Sequence, residues 1–190
     1  MFRSDHFAQV LGVLAVSCPH LRHLAIPYIN LGSSNSTYNG SSNYVGNPLK
    51  LIVNSLPHLI SLEVRQLDAY SAASSAGGLE DLAELQDLTH LALSVLNTRK
   101  TEKKLAAVFS KLHNLRKVSL GVSGMFQGSP LIGSAAFLPN LVANNLQLEE
   151  VELDMQIKVT SKKKAMMKRR GVTLRQVWGP LGYESTDDEM

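Results

Sequence analysis

The sequence contains a single cysteine, Cys18, so it can form no disulfide within the chain and no multi-cysteine zinc site from its own residues. It has no run of about 18 uninterrupted apolar residues, and its first residues lack the charged and apolar segments of a secretory signal. A net charge of +3 is too small a basic excess to require a nucleic acid or membrane partner. These absences predict a cytoplasmic or nuclear protein with no membrane partner.

Catalytic motifs are also missing. The sequence lacks the Gly-x-Ser-x-Gly turn of serine hydrolases, the Gly-x-x-x-x-Gly-Lys phosphate loop and the Gly-x-Gly-x-x-Gly dinucleotide turn. Cys18 lacks the surroundings of a known nucleophile. Most of the histidines stand beside leucines at recurring positions rather than at metal-ligand spacing, namely His20, His23, His58, His90 and His113. We therefore expect a protein that is not an enzyme, with no catalytic residues, no cofactor and no metal.

One short apolar pattern recurs along nearly the whole chain. Residues 56–64 read Leu-Pro-His-Leu-Ile-Ser-Leu-Glu-Val, and the motif within them is an L-x-x-L-x-L arrangement of three apolar anchors. The first anchors of successive copies are roughly 26 to 38 residues apart, and the longer intervals require insertions. Six copies can be written: Leu21, Leu24, Ile26; Leu59, Leu62, Val64; Leu88, Leu91, Leu93; Leu115, Val118, Leu120; Leu148, Val151, Leu153; and Leu174, Val177, with Gly179 in the third place.

The spacing of the anchors predicts the structure of each repeat. The second and third anchors are two residues apart, so on a short strand they point to one face while their neighbours point to the other. Ahead of each copy lies an apolar pattern with helical spacing, such as Leu105, Val108, Phe109 and Leu112. A single helix–strand unit cannot bury both apolar surfaces, so neighbouring units must stack. The sequence predicts an α/β solenoid of about six irregular repeats, with parallel strands on a concave face and helices on the convex face.

The motif resembles the leucine-rich repeats of the ribonuclease-inhibitor-like class, and most of all the repeat regions of F-box leucine-rich proteins. The resemblance covers roughly residues 5–180 and lies in four segments that begin at Cys18, Leu56, Leu112 and Leu146. It implies a horseshoe-shaped solenoid and, from F-box leucine-rich proteins, recognition of substrates for a cullin-type ubiquitin ligase. The F-box itself, a helical segment ahead of the repeats, has no counterpart in this sequence.

Three stretches rich in turn-forming residues are expected to be loop insertions within a solenoid that spans residues 1–180. They lie at about 28–47, 69–78 and 121–134. The first insertion is either a plain surface loop or a binding loop that uses Tyr28, Tyr38 and Tyr44. Residues 181–190 are expected to form a disordered acidic tail.

The side chains between the anchors, and just after them, are expected to face the concave surface, where solenoids usually bind partners. They are His23, Glu63, Arg65, His90, Lys117, Glu150, Glu152, Asp154 and Trp178. Two alternatives stay open: Trp178 covers the end of the last repeat, or the acidic side chains serve solubility alone. The partner is expected to be a protein, which the sequence does not identify, and ubiquitin-ligase components are candidates.

The predicted sixth helix carries a basic run. It comprises Lys162, Lys163, Lys164, Lys168, Arg169 and Arg170. We interpret this run first as the solvated convex face of a repeat helix; the alternative is an import signal or a nucleic-acid patch. The preferred prediction is thus a protein-interaction module, and the alternative is a nuclear or RNA-associated binding protein. The sequence gives no indication of the oligomeric state.

Overall fold

A computed structural model describes residues 4–27, 29–30, 48–64, 67–68, 79–95, 99–122, 135–155 and 157–177. Five α-helices lie in these residues: α1 Ser4–Ser17, α2 Pro48–Ser55, α3 Arg99–Phe109, α4 Leu138–Asn144 and α5 Ser161–Arg169. The strands are β1 His23–Ile26, β2 Ile29–Asn30, β3 Ser61–Val64, β4 Leu67–Asp68, β5 His90–Val95, β6 Lys117–Val122, β7 Glu150–Asp154 and β8 Thr173–Val177. Helices and strands alternate along the chain.

Six of the strands form one parallel sheet in the order β1-β3-β5-β6-β7-β8. Each long strand therefore pairs with the next long strand in the sequence, as expected for stacked units rather than for a doubly wound sheet. The short strands β2 and β4 pair with each other in a separate parallel ladder. The structure thus confirms the coarse prediction of an α/β fold with parallel strands.

The same backbone hydrogen bonds recur where one unit meets the next. The carbonyl of Arg22 accepts from the N–H groups of both Ile60 and Ser61, and the carbonyl of Ile60 accepts from those of Thr89 and His90. The carbonyls of Thr89 and Arg116 accept in the same way from the following units. This repetition fixes the register of the strands, so equivalent side chains line up across the sheet.

The core lies between the sheet and the helices. The second and third anchors of the middle copies are fully buried, as are the apolar residues of the helices that face them. Phe109 and Phe137 pack with their ring centroids 5.7 Å apart and join α3 to the start of the next unit. Leu24 is only half-buried because β1 is an outer strand of the sheet.

Ahead of the third copy, the helical spacing of Leu79, Leu82 and Leu85 predicts a helix, but the structure has a 3-10 turn over Glu80–Glu84. The N–H of Leu82 donates to the carbonyl of Leu79, and that of Leu85 to the carbonyl of Leu82. A 3-10 helix has three residues per turn, so side chains three apart lie one above another. The three-residue spacing therefore lets all three leucines reach the core from this tighter turn.

The last copy of the motif was misaligned by three residues in the sequence prediction. Leu174 pairs with Val151, and Gln176 pairs with Leu153, so Leu174 is the second anchor rather than the first. Gly171 and Val172 precede the strand, at the place where the other copies have their first anchor. The error arose because the third anchor is polar here, which removes the apolar signal that marks the register.

Two loop boundaries also differ from the prediction. Ile29–Asn30 forms β2 inside the insertion expected at 28–47, and residues 121–122 still belong to β6. The remaining residues of these insertions, the insertion at 69–78 and the tail at 181–190 lie outside the described residues, as do Tyr28, Tyr38 and Tyr44. Within the described part of the chain, no helix is long and apolar enough to cross a membrane.

Candidate binding face

The sheet presents two rows of side chains on the face opposite the core, which we call the open face. The first row is His23, Ser61, His90, Lys117, Glu150 and Thr173; the second is Ala25, Glu63, Ala92, Ser119, Glu152 and Arg175. Side chains alternate between the two faces of a strand, so these rows follow from the burial of the anchors between them. All except Ser119 are exposed or half-exposed.

Six of the nine residues predicted for the concave face lie in these rows. They are His23, Glu63, His90, Lys117, Glu150 and Glu152. Arg65 and Trp178 lie outside the described residues. The structure thus brings the described members together on one surface, with the exception of Asp154.

Asp154 is only 3% exposed, which contradicts its prediction as an accessible residue. It is the last residue of β7, where the chain turns and the N–H of Ile157 donates to the carbonyl of Asp154 over 2.9 Å. The equivalent positions on β5 and β6, Ser94 and Gly121, are buried as well. Side chains at the first strand position are therefore accessible, whereas those at the fifth position of β5, β6 and β7 are buried.

A chain of opposite charges occupies the β6–β8 half of the open face. Lys117 Nζ lies 3.1 Å from Glu150 Oε2, and Arg175 Nε lies 3.1 Å from Glu150 Oε1. The Arg175 contact is ionic rather than a directed hydrogen bond, because Glu150 Oε1 has no partner with hydrogen-bond geometry. The hydroxyl of Ser119 donates to Glu152 Oε1 over 3.1 Å. Each carboxylate on this half is thus held by a neighbouring strand.

This pairing changes the interpretation of the acidic residues as a binding surface. The sequence suggested a free acidic surface of Glu150, Glu152 and Asp154, but Glu150 lies between two cations and Asp154 is buried. Sequence reasoning missed the other six members of the two rows, which are Ala25, Ser61, Ala92, Ser119, Thr173 and Arg175. The correct alignment of the last motif copy, with Leu174 as its second anchor, would have placed Thr173 and Arg175 in the two rows.

On the half of the open face formed by β1, β3 and β5, the side chains are smaller and fewer of them are charged. Ala25 and Ala92 flank Glu63 in the second row, and Ser61 lies between His23 and His90 in the first. His90 is exposed, with its Nδ1 2.7 Å from the hydroxyl of Thr89. Small side chains on a sheet let another molecule approach the backbone closely, and Ala25, Ser61 and Ala92 supply such positions on this half.

The basic run lies on α5, beside β8 at one end of the sheet. Lys162, Lys164, Lys168, Arg169 and Arg170 of this run are exposed, whereas Lys163 is half-buried. Arg170 donates from Nη2 to the carbonyl of Val142 in α4 over 3.3 Å. Met167 is buried and Met166 half-buried, so both lie on the core side of the helix. The helix therefore has one face in the core and one cationic face.

The histidines are spread over separate units. His58 Nδ1 lies 3.0 Å from Asp87 Oδ2, and His113 Nδ1 lies 3.4 Å from the carbonyl of Asn144. Each of these contacts joins one unit to the next. Among the residues the structure describes, no group of three or more His, Cys, Asp or Glu side chains could hold a metal ion.

The fold and the open face define the class of this protein as an α/β protein built from stacked helix–strand units, with a six-stranded parallel sheet exposed on one side. The chain matches no protein-family model, and it matches no curated protein.

Proposed function

We propose that this protein is a leucine-rich-repeat solenoid that acts as a non-enzymatic protein-interaction module, with the open face as its concave binding surface. The fold side of the proposal is supported by the pairing of each long strand with the next and by the recurring backbone bonds between units. The functional part of the proposal depends on the side chains that the open face presents.

The observation that carries the proposal is the unbroken register of polar and small side chains across six strands. Neighbouring strands are about 4.8 Å apart, so a row of six positions extends over roughly 24 Å. The backbone holds the two rows at a fixed spacing, so binding there does not have to order the backbone. A helix or an extended segment of another protein is long enough to lie along such a row.

The resemblance of the motif to F-box leucine-rich proteins extends this proposal to substrate recognition in a cullin-type ubiquitin ligase. Its support is the set of repeat segments that begin at Cys18, Leu56, Leu112 and Leu146. The proposal places substrate contact on the open face.

The experiment is affinity capture from cell extract with two matched double variants. Ala25→Arg/Ala92→Arg adds two large cations to the second row, on either side of Glu63. Ala107→Arg/Ala143→Arg adds the same charge to exposed positions on α3 and α4. Neither pair removes a contact of the Lys117–Glu150–Arg175 chain, so the fold should be preserved in both.

We expect mass spectrometry to identify proteins that are captured by the wild type and by the helix variant, Ala107→Arg/Ala143→Arg. The sheet variant, Ala25→Arg/Ala92→Arg, should not capture these proteins. Capture that is equal for all three chains, or lost equally in both variants, contradicts the placement of the binding surface. Recovery of cullin-ligase components in the sensitive set supports the ligase context, and their absence from it contradicts that extension alone. Circular dichroism of each variant checks the fold.

A second candidate function is RNA binding through α5. The observation that favours it is the cationic face formed by Lys162, Lys164, Lys168 and Arg169 around the exposed Ala165. Cations in this arrangement neutralise phosphates and release counterions.

Salt dependence separates this candidate from the first. Four phosphate contacts on single-stranded RNA predict that log K falls with log salt concentration with a slope of about −3. Replacing Lys162, Lys164, Lys168 and Arg169 by Ala should abolish binding, whereas replacing the exposed Lys50, Lys103 and Lys111 should not. Binding that is insensitive to salt, or equally weakened by both sets, rules the candidate out.

A further inference from the structure

A groove runs between α5 and β8, separate from the open face. Its volume is about 440 Å³, and its walls are Lys164, Met167, Lys168, Val172, Leu174 and Gln176. The floor is apolar, from Met167, Val172 and Leu174, while the two lysines belong to the helix wall. The groove thus suits a segment that carries both apolar and negatively charged side chains.

The charges on α5 are one-sided. The helix reads Ser-Lys-Lys-Lys-Ala-Met-Met-Lys-Arg and contains no acidic residue. Lys164 and Lys168 are one helical turn apart on its exposed surface, and neither has a carboxylate within ion-pair distance among the described residues. Two adjacent like charges repel each other, so a negatively charged partner at this wall is favoured.

The chain itself contains a segment of the matching chemistry. Residues 181–189 read Leu-Gly-Tyr-Glu-Ser-Thr-Asp-Asp-Glu, with apolar residues first, four carboxylates after them and no basic residue. The segment follows β8, which ends at Val177 next to the groove residue Gln176. Seven residues span up to about 23 Å, so Glu184 is within reach of a wall formed by the preceding helix.

We propose that the groove between α5 and β8 is the docking site of the chain's own acidic segment 181–189. Leu181 and Tyr183 contact the apolar floor, and Glu184, Asp187, Asp188 and Glu189 neutralise Lys164 and Lys168. Covalent attachment supplies an effective concentration in the millimolar range, which offsets the weakness of exposed ion pairs. The docked segment would cover part of the cationic face of α5 and compete with any polyanion there. This inference does not depend on the function of the open face.

The test is amine labelling of the full chain, with the extent of reaction at each lysine measured by mass spectrometry. The variant E184Q/D187N/D188N/E189Q removes the four carboxylates. The matched control E80Q/E84Q/D87N/E149Q removes four exposed carboxylates elsewhere. Lys162, on α5 but outside the groove, and Lys111, after α3, serve as internal references.

We expect Lys164 and Lys168 to react about threefold faster in the tail variant than in the wild type, as loss of exposed ion pairs predicts. The references should stay unchanged, and so should all lysines of the control variant except Lys104, which loses its ion pair with Glu80. In 1 M salt, where the screening length is about 3 Å, the wild type should resemble the tail variant. Equal reactivity of the two groove lysines in wild type and tail variant overturns the proposal, and so does an equal change at Lys162.

Carbodiimide cross-linking of a mixture of ¹⁵N-labelled and unlabelled chains identifies which chain supplies the segment. The proposal predicts cross-links from Lys164 or Lys168 to residues 184–189 that carry a single isotope. Mixed-isotope cross-links would assign the groove to the tail of a second copy and overturn the intramolecular docking.

Discussion

At the scale of single residues, Asn145 shows how a polar side chain can replace a core leucine. The position three residues before the first anchor holds Leu56, Leu85 and Leu112 in other units, all of them buried. Asn145 is equally buried at 2% exposure, and both polar atoms of its amide are hydrogen-bonded. The N–H of Leu115 in the preceding unit donates to its Oδ1 over 2.9 Å, and its Nδ2 donates to the carbonyl of Leu141 over 3.0 Å. The side chain therefore connects two units as well as filling space.

Asn145→Ala should lower the free energy of unfolding by about 2 to 3 kcal/mol, because the buried N–H of Leu115 loses its acceptor. Asn145→Leu should restore apolar packing but leave the same N–H unsatisfied, so it should remain destabilising. The neighbouring Asn144→Ala removes only a bond to the carbonyl of Asn140 within the same helix and should cost less than about 0.5 kcal/mol.

Urea unfolding of the three variants measures these differences. A cost for Asn145→Ala no larger than that for Asn144→Ala would show that the bond between the units contributes nothing to stability.

The residues of the open face show which part of a site an apolar repeat can predict. His23, Glu63, His90, Lys117, Glu150 and Glu152 were predicted because they alternate with anchors whose hydrophobicity is plain in the sequence. The pairing of Glu150 with Lys117 and Arg175 was not, since charge partners on adjacent strands are about thirty residues apart. The burial of Asp154 depends on the turn after β7, which leaves no periodic signal.

At the scale of elements, the end of α5 is a Schellman motif that requires a left-handed residue. The N–H of Val172 donates to the carbonyl of Met167, and that of Gly171 to the carbonyl of Lys168. Val172 and Met167 are both buried and make the apolar contact that accompanies this motif. Gly171 has φ +71°, a conformation in which a side chain is strained.

Gly171→Ala should destabilise the protein by about 1 kcal/mol, although a methyl group there would meet no atom within 4 Å. Gly12→Ala is the matched change, since Gly12 lies in the middle of α1 and an added methyl meets nothing there either. Helix propensity predicts that this second variant is more stable by roughly 0.5 to 1 kcal/mol.

Thermal unfolding of both variants checks the pair. The opposite signs are the critical result, because only backbone conformation distinguishes the two sites. A stabilising Gly171→Ala would mean that α5 does not end in the left-handed turn.

The third unit shows the limit of helical periodicity as a guide to elements. Apolar residues three apart are compatible with an α-helix and with a 3-10 turn, and Leu79, Leu82 and Leu85 satisfy both. Where spacings of four residues are mixed with spacings of three, as at Leu105, Val108, Phe109 and Leu112, the prediction of a helix was right. Even there the helix ends at Phe109, and Leu112 reaches the core from the following turn.

At the scale of the whole molecule, the two ends of the sheet are less well packed than its middle. The strands β1 and β8 each pair on one side in the six-stranded sheet, and both contain exposed and half-buried positions where β3 and β7 are buried. Stacked units are stabilised by their neighbours, so an outer unit lacks half of that contribution.

Hydrogen exchange should therefore be slowest in β5, β6 and β7. We expect the amides of β1 and β8 to exchange at least about tenfold faster, through local opening of the outer units. Exchange followed by mass spectrometry gives the rates for peptides that cover each strand. Uniform protection across all six strands would indicate a single cooperative unit and contradict unit-by-unit stability.

The order of the elements was predictable because the same motif recurs along the chain, and each copy predicts a helix followed by a strand. Alternating anchors and the need to stack predicted parallel strands, and the helical patterns ahead of the copies predicted helices, which the structure has ahead of every copy but the third. The 3-10 turn, the β2–β4 ladder and the true register of the last strand were not predictable, because each depends on weak or polar positions that the repeat does not constrain.

The central claim is that the open face of the sheet binds a protein partner. The most direct measurement is calorimetry with a purified partner obtained by the capture experiment, comparing the wild type with the two arginine variants. Ala25→Arg/Ala92→Arg should raise Kd by about tenfold or more, equivalent to about 1.4 kcal/mol, while Ala107→Arg/Ala143→Arg should leave it within about twofold. A Kd unchanged by the sheet variant, or raised equally by the helix variant, would contradict the claim.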